Sequence, residues 1–428
     1  TARWIVGMAV GLGGAICPIF DVQGHMNRTV ETIKSRVVTR GRRGLIGGGM
    51  RRNPVPVDKM SGADLPGIKG VRAWGGQYSR LFGDDIIASV RQEREGDFPA
   101  GDDGAASYSI LALSGGGAHG AFGAGVIYGW AQTGRRPTFK VVTGISTGAL
   151  IASFAFLGPE YNEKLKEVFT TVTTKDIFHV RSFVSWLWKE SFADTGPLEK
   201  LIAKYADEEA LKAIAREHNR GRRLYFGTTN LDAQQLVIWN MGAIAAGNHP
   251  DALRIFRKVL LASASIPSAF PPVYFDVEAD GKLYDEMHVD GGIISEAFFT
   301  DYMLELPAAR KKVFGENTPR PHVTAYLIRN GKLTPSPQPV RRSLPRITRR
   351  ALLTLSKAHG WDHLHCIYEI MQKNRIDFNY IGIPENCRLT GKQTFDRKEM
   401  LGLFNMGIDL VKSGRPWQKF PNGPHEGP

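Results

Sequence analysis

The stretch Val141-Val142-Thr143-Gly144-Ile145-Ser146-Thr147-Gly148-Ala149-Leu150 reads as a short apolar strand, a Gly-x-Ser-x-Gly turn and the start of a small-residue helix. A serine hydroxyl becomes a useful nucleophile when a tight strand-to-helix turn exposes it. Such a turn favours glycine at Gly144 and Gly148, where a Cβ would clash. The helix behind Ser146 also brings free backbone N–H groups and a positive dipole end to the place where an oxyanion would form. Taken alone, the pattern equally fits a tight structural turn, because the chain holds 48 glycines in 428 residues.

Two further segments decide between these readings. Upstream, the strand-like run Ser109-Ile110-Leu111-Ala112-Leu113 leads into Ser114-Gly115-Gly116-Gly117-Ala118-His119-Gly120. Consecutive glycines between a strand and a helix leave several N–H groups free to converge on one anion. Downstream, Tyr284-Asp285-Glu286-Met287-His288-Val289-Asp290-Gly291-Gly292 puts an aspartate before two glycines at an expected strand end. The order is therefore an anion cradle, an exposed serine and a carboxylate.

With these three motifs the chain resembles the patatin-like phospholipases over roughly Tyr108 to Arg329. Leu260 to Pro272 and Gly227 to Asp232 are similar to further segments of that family. The resemblance implies an α/β three-layer domain with a central, mainly parallel sheet. It makes Ser146 the nucleophile, Asp290 its base, and the N–H groups around Gly115, Gly116 and Gly117 the oxyanion hole. Gly120, Gly144, Gly148, Gly291 and Gly292 are then motif glycines. The implied substrate is a phospholipid or other acyl-ester lipid, cleaved through an acyl-enzyme without metal or cofactor. One departure is His119, where the family usually carries Arg or Lys.

Two rival readings are weaker. Gly115-x-Gly117-x-x-Gly120 matches a dinucleotide fingerprint, which expects an acidic residue about 20 positions on. No Asp or Glu occurs between Ala121 and Pro159. A Ser-His-Asp triad would need a late histidine, and His322, His359, His363 and His365 are the candidates. His288 stands two residues before Asp290 on the same strand face, where it would orient or relay. The resemblance favours a dyad without histidine.

The flanks differ from this core. Residues 1–20 contain the almost uncharged run Trp4 to Phe20, which reads as a signal-peptide segment or membrane anchor, with the true start missing. Cys17 invites a lipoprotein reading, against which Ile16 is large for a lipobox. Export or envelope anchoring is the expected location. Residues 21–106 read as a basic Gly/Arg-rich extension, in which Trp74, Tyr78, Leu81, Phe82, Ile86 and Ile87 form a short docked element. Residues 107–330 are the expected catalytic domain, where strand-like runs alternate with helical patterns. Residues 331–428 read as a proline-rich link and a helical C-terminal region, with helices ending near Arg375 and covering Arg397 to Lys412.

The net charge of +13 carries no zinc-finger, helix-turn-helix or RNA-binding signature, so nucleic acid is not an expected partner. An anionic membrane surface fits it better, and plain solubility is the simpler account. The aromatic run Phe178 to Trp188 reads either as a lipid-contacting flap or as a packed helix. Cys366 and Cys387 could pair in an oxidising compartment. His359, His363, His365 and Cys366 lack the second ligand pair of a zinc site. The alternative to an enzyme is a catalytically weak, envelope-associated lipid-binding protein on the same fold.

Overall fold

The computed structural model describes residues 52–94, 96–180, 193–267, 269–335, 337–387, 395–414 and 416–419. The expected export segment with Cys17, the basic extension up to residue 51 and the aromatic run from residue 181 lie outside these residues. Among the described residues, no helix is long and apolar enough to cross a membrane.

The sheet is built from β1 (Arg72–Trp74), β2 (Ser107–Leu113), β3 (Phe139–Ile145), β6 (Arg223–Asn230), β7 (Gln235–Asn240), β8 (Val273–Ala279), β9 (Lys282–Asp290), β10 (His322–Arg329) and β11 (Asp377–Gly382). A separate two-residue pair, β4 (His179–Val180) and β5 (Ala193–Asp194), runs antiparallel. The main order is β1-β7-β6-β3-β2-β10-β11, and the five strands from β6 to β11 are mutually parallel. The β8–β9 hairpin joins antiparallel at the end of β6, opposing Thr228 to Asp290 and Asn230 to His288.

Central parallel strands are covered on both faces, which is why all of β3, Phe-Lys-Val-Val-Thr-Gly-Ile, is buried. The two-residue alternation of β2 separates the covering layers. Leu111 and Leu113 join a core with Phe122, Ile151, Phe226, Phe256 and Phe404. Ile110 and Ala112 join another with Phe82, Tyr225, Tyr302 and Leu364. The result is the expected three-layer α/β fold.

The longer helices are α1 (Arg80–Arg91), α2 (Gly120–Gln132), α3 (Thr147–Leu157), α4 (Asn162–Thr171), α5 (Gly196–Tyr205), α6 (Glu208–Asn219), α7 (Ala252–Ser263), α8 (Leu306–Phe314), α9 (Leu344–Lys373) and α10 (Arg397–Lys412). Helix α2 is apolar nearly all round and buried along its length, as a helix between two others must be. It meets α10 backbone to backbone. A Cβ on Gly125 would sit 2.0 Å from the Phe404 carbonyl oxygen, and one on Gly407 would sit 2.4 Å from that of Phe122.

Strand pairing crosses both segment limits expected from composition. From the N-terminal side, β1 pairs with β7; from the C-terminal side, β11 pairs along β10. From Asn53 onward the described chain forms one compact unit. In the short docked element, Phe82 and Ile86 are buried, whereas Tyr78 and Leu81 stay 61% and 62% exposed. Cys366 and Cys387 are free thiols, so they form no pair.

At the amino end of β3, Lys140 is fully buried and donates to the Glu93 carboxylate at 2.6 Å and the Ser89 carbonyl at 3.0 Å. Arg310 and the Tyr108 hydroxyl meet the same carboxylate. Removing one partner of a buried ion pair strands the other in low dielectric. Glu93→Ala is therefore expected to lower unfolding free energy by about 3–5 kcal/mol in urea titrations.

Candidate active site

Ser146 sits between β3 and α3 with φ 55° and ψ −128°, a backbone conformation that non-glycine residues rarely adopt. The strain is held by near contact on both sides. A Cβ on Gly144 would lie 2.5 Å from the Gly148 carbonyl oxygen, and one on Gly148 would lie 2.3 Å from that of Leu113. The Ser146 N–H donates to Ser263 Oγ at 2.9 Å, and the Ser263 hydroxyl donates to the Gly227 carbonyl at 2.8 Å.

Asp290 ends β9, and its N–H donates to the Ser265 carbonyl at 2.9 Å. Its carboxylate accepts the Gly292 N–H at 2.7 Å, and the Ser146 hydroxyl is close enough to favour its ionised form. Burial raises the carboxyl to about pKa 6, against the opposing pull of those two donors. Ser263 and Ser265, at the carboxyl end of α7, thus fix the backbones of both residues. The sequence marked this segment through resemblance but gave neither serine a role.

The glycine loop is held by Asn330, immediately after β10. The Asn330 N–H donates to Ser114 Oγ at 2.8 Å, its Nδ2 donates to the Ser114 carbonyl at 2.7 Å, and its Oδ1 accepts the Gly123 N–H at 2.9 Å. A Cβ on Gly116 would reach 2.3 Å from the Asn330 carbonyl oxygen, and Gly116 and Gly117 take φ of 153° and 55°. The expected trio of oxyanion donors needs one correction. The Gly115 N–H is already committed to the Glu296 carbonyl at 3.0 Å. The N–H groups of Gly116 and Gly117, opening a short 3-10 turn, have no acceptor among the described residues. Gly120 is packed so closely that a Cβ would lie 2.3 Å from Thr147 Oγ1. Gly291 would place one 2.6 Å from the Gly227 carbonyl oxygen.

Residues 111–302 match the family model of patatin-like phospholipase. The chain carries a patatin-like phospholipase domain. No curated protein matches the chain. Among solved structures, VipD from Legionella pneumophila is similar at 13% identity and TM-score 0.27, over 73% of this chain and 69% of that one. Human GIVD cytosolic phospholipase A2 shows 8% identity and TM-score 0.28, over 67% of this chain and 51% of its own. ExoU from Pseudomonas aeruginosa, in complex with SpcU, shows 15% identity and TM-score 0.23, over 60% and 52%. The chain spans about half the length of the last two. At these TM-scores the likenesses carry no argument of their own.

Beside the glycine loop of the patatin-like domain, His119, Glu296, Arg329, Lys332, Leu353 and Lys357 line a cavity of about 180 Å³. Burial, followed by the repulsion of Lys332 and Lys357, lowers the pKa of His119. The cations around His119 come from other elements. Arg329 is anchored by Glu296 at 2.8 Å, and Lys332 donates to the Glu385 carbonyl at 2.8 Å.

His288 is buried on the β9 face that carries Asp290, yet its ring is occupied elsewhere. Trp239 Nε1–H donates to Thr228 Oγ1 at 2.8 Å, and that hydroxyl meets His288 Nδ1 at 2.9 Å. His288 Nε2 meets Glu286 at 3.1 Å, and Arg72 meets the same carboxylate at 2.5 Å. This network assigns the Thr228 hydroxyl as donor to Nδ1 and Nε2–H as donor to Glu286. Burial depresses the His288 pKa; against the cost of burial, His288 and Arg72 hold the Glu286 carboxyl down to about 2. Both ring nitrogens of His288 are partnered.

The late histidines have other partners than Ser146 and Asp290. His322 pairs with exposed Asp103 at 2.7 Å, His363 stacks on His359 and meets Ser295 Oγ at 3.5 Å in the loop after Asp290, and His365 packs on Trp361. For His288→Gln, thermal unfolding is expected to shift down by several degrees, because a buried network loses a partner. The pH midpoint of any Ser146-dependent activity is expected to stay near 6, since that midpoint belongs to Asp290. A moved midpoint would make His288 a relay.

Proposed function

We propose that this protein is a serine lipid acyl hydrolase of the phospholipase A or esterase type, using Ser146 and Asp290 as a dyad. The observation that carries the reading is the buried Asp290 carboxyl under the influence of the Ser146 hydroxyl, with Ser146 on a positive-φ elbow beside two amides that have no acceptor among the described residues. The family match at residues 111–302 supports a lipid substrate. A phospholipid or other acyl-ester lipid is the substrate class, and the envelope location suggested by residues 4–20 belongs to the same proposal.

In the first half-reaction, Ser146 Oγ attacks the ester carbonyl carbon and its proton passes to Asp290. The carbonyl oxygen, now an oxyanion, is received by the N–H groups of Gly116 and Gly117. Collapse breaks the ester bond. Asp290 returns the proton to the leaving alkoxide, and the acyl group remains on Ser146. Water then attacks the acyl carbon, Asp290 takes its proton, and the fatty acid leaves as Ser146 Oγ recovers a proton. A free carboxylate is a poor base for this work. Burial makes Asp290 a better one by lifting its pKa toward neutrality.

Activity requires ionised Asp290, so kcat/KM on a soluble ester is expected to fall about tenfold per pH unit below the midpoint near 6 and to level off above it. Stability runs the other way. The folded carboxyl holds its proton more tightly than the unfolded one, about 6 against 3.8, so its contribution is complete below pH 3.8 and lost as pH rises through 6. Asp290→Asn is therefore expected to abolish turnover while stabilising the fold at pH 8 by roughly 2–3 kcal/mol, measured by urea unfolding.

A fluorophosphonate probe tests the dyad directly. Labelling of the wild type, with none on Ser146→Ala and little on Asp290→Asn, is the expected result. Equal labelling of all three proteins would refute the assignment. A wild type that neither labels nor hydrolyses esters but still binds lipid would favour the non-catalytic reading. Gly116→Ala should lower kcat by about a hundredfold or more, because the loop must move away from Asn330.

A further inference from the structure

Helix α9 changes character along its length. In its second half, Leu364, Ile367 and Met371 are buried against the body. In its first half, Leu344, Ile347, Ala351 and Leu355 recur at three- and four-residue spacing and form one stripe. Leu355 and Leu364, nine residues apart, face opposite sides of an α-helix. The stripe is exposed, with Leu344 74%, Ile347 51% and Leu355 52% open, and Leu353 on the opposite face, beside the cavity, is 50% exposed. Core packing does not account for an exposed apolar stripe of branched residues.

Charge says what would cover it. No Asp or Glu occurs from Asn317 to Trp361, while Arg341, Arg342 and Arg346 stand exposed at the start of α9. Cations at a helix N-terminus oppose the helix dipole, so local helix stability does not explain their position. An apolar stripe bordered by cations, with no acidic residue in the segment, matches a helix lying in the plane of an anionic lipid surface. Further along α9, Leu353 and Lys357 line the cavity that includes His119 of the glycine loop, so such a surface would lie beside the candidate site.

We propose that the first half of α9, from Leu344 to Leu355, is a docking element that seats in the headgroup region of an anionic bilayer. This deepens the lipid-hydrolase reading, on which its purpose rests but its measurement does not.

The test uses the full chain with vesicles of phosphatidylcholine, alone or mixed with phosphatidylglycerol, together with turnover of a soluble short-chain ester. Wild type is expected to sediment with the mixed vesicles about tenfold or more better than with phosphatidylcholine alone. Two triple variants, Leu344→Ser/Ile347→Ser/Leu355→Ser and Arg341→Gln/Arg342→Gln/Arg346→Gln, should each lose at least about tenfold of that binding while retaining soluble-ester turnover. Wild-type binding without preference for the anionic lipid overturns the proposal, as does unchanged binding by either variant. So does a serine variant that changes sedimentation mass instead of vesicle binding, since a second copy would then cover the stripe. Vesicle binding that follows these expectations in a wild type without esterase activity would refute the hydrolase reading and leave the docking element standing.

Discussion

Backbone approaches backbone at the carboxyl ends of β2, β3 and β6 more closely than any side chain permits, and the rest of the site depends on that constraint. Gly148 lies against the Leu113 carbonyl, Gly144 against Gly148, and Gly291 against Gly227. These approaches leave Ser146 one route from strand to helix, through a strained positive φ. The strain persists because neighbouring segments are also tied down. Ser263 joins the Ser146 N–H to Gly227, and Ser265 takes the N–H of Asp290. A hydroxyl and a carboxylate on distant segments are thereby brought into contact with little conformational freedom left to lose.

Burial then sets the chemistry. An aspartate in water is too weak a base to draw a proton from serine, and one isolated in an apolar core would simply stay protonated. Asp290 lies between these limits, because its burial is offset by donors from Ser146 and Gly292. On the same strand face, Glu286 and His288 show the contrasting solution. There, mutual pairing and Arg72 hold the groups in fixed charge states and remove them from proton traffic. Two neighbouring buried polar sets on one strand thus reach different balances, one with its carboxyl raised toward neutrality and one held by mutual pairing.

The fold and the elbow that carries Ser146 were legible in the sequence because both are written locally. Strand, turn and helix follow one another around Ser146, and the glycines name the places where space is absent. What escaped was contributed by tertiary structure. The commitment of the Gly115 N–H to Glu296 depends on a loop that meets it only in the folded protein. Asn330 carries no motif of its own. Strand β11, Asp-Phe-Asn-Tyr-Ile-Gly, is a short run in a region read as helical, and only its pairing along β10 in the folded chain makes it part of the sheet. His288 stayed open for the opposite reason, since sharing a strand face with Asp290 said nothing about Thr228 and Glu286 occupying its ring.

The latch formed by Asn330 gives the site a timing. It joins Ser114 and Gly123 to a residue more than 200 positions later in the chain, after every strand flanking the dyad has been made. During synthesis from the N-terminus, Ser146 and Asp290 both emerge before the residue that shapes the glycine loop. A chain interrupted between Asp290 and Asn330 therefore holds the serine elbow and the carboxylate yet lacks the residue that orders its glycine loop, so the site is completed only in the finished fold.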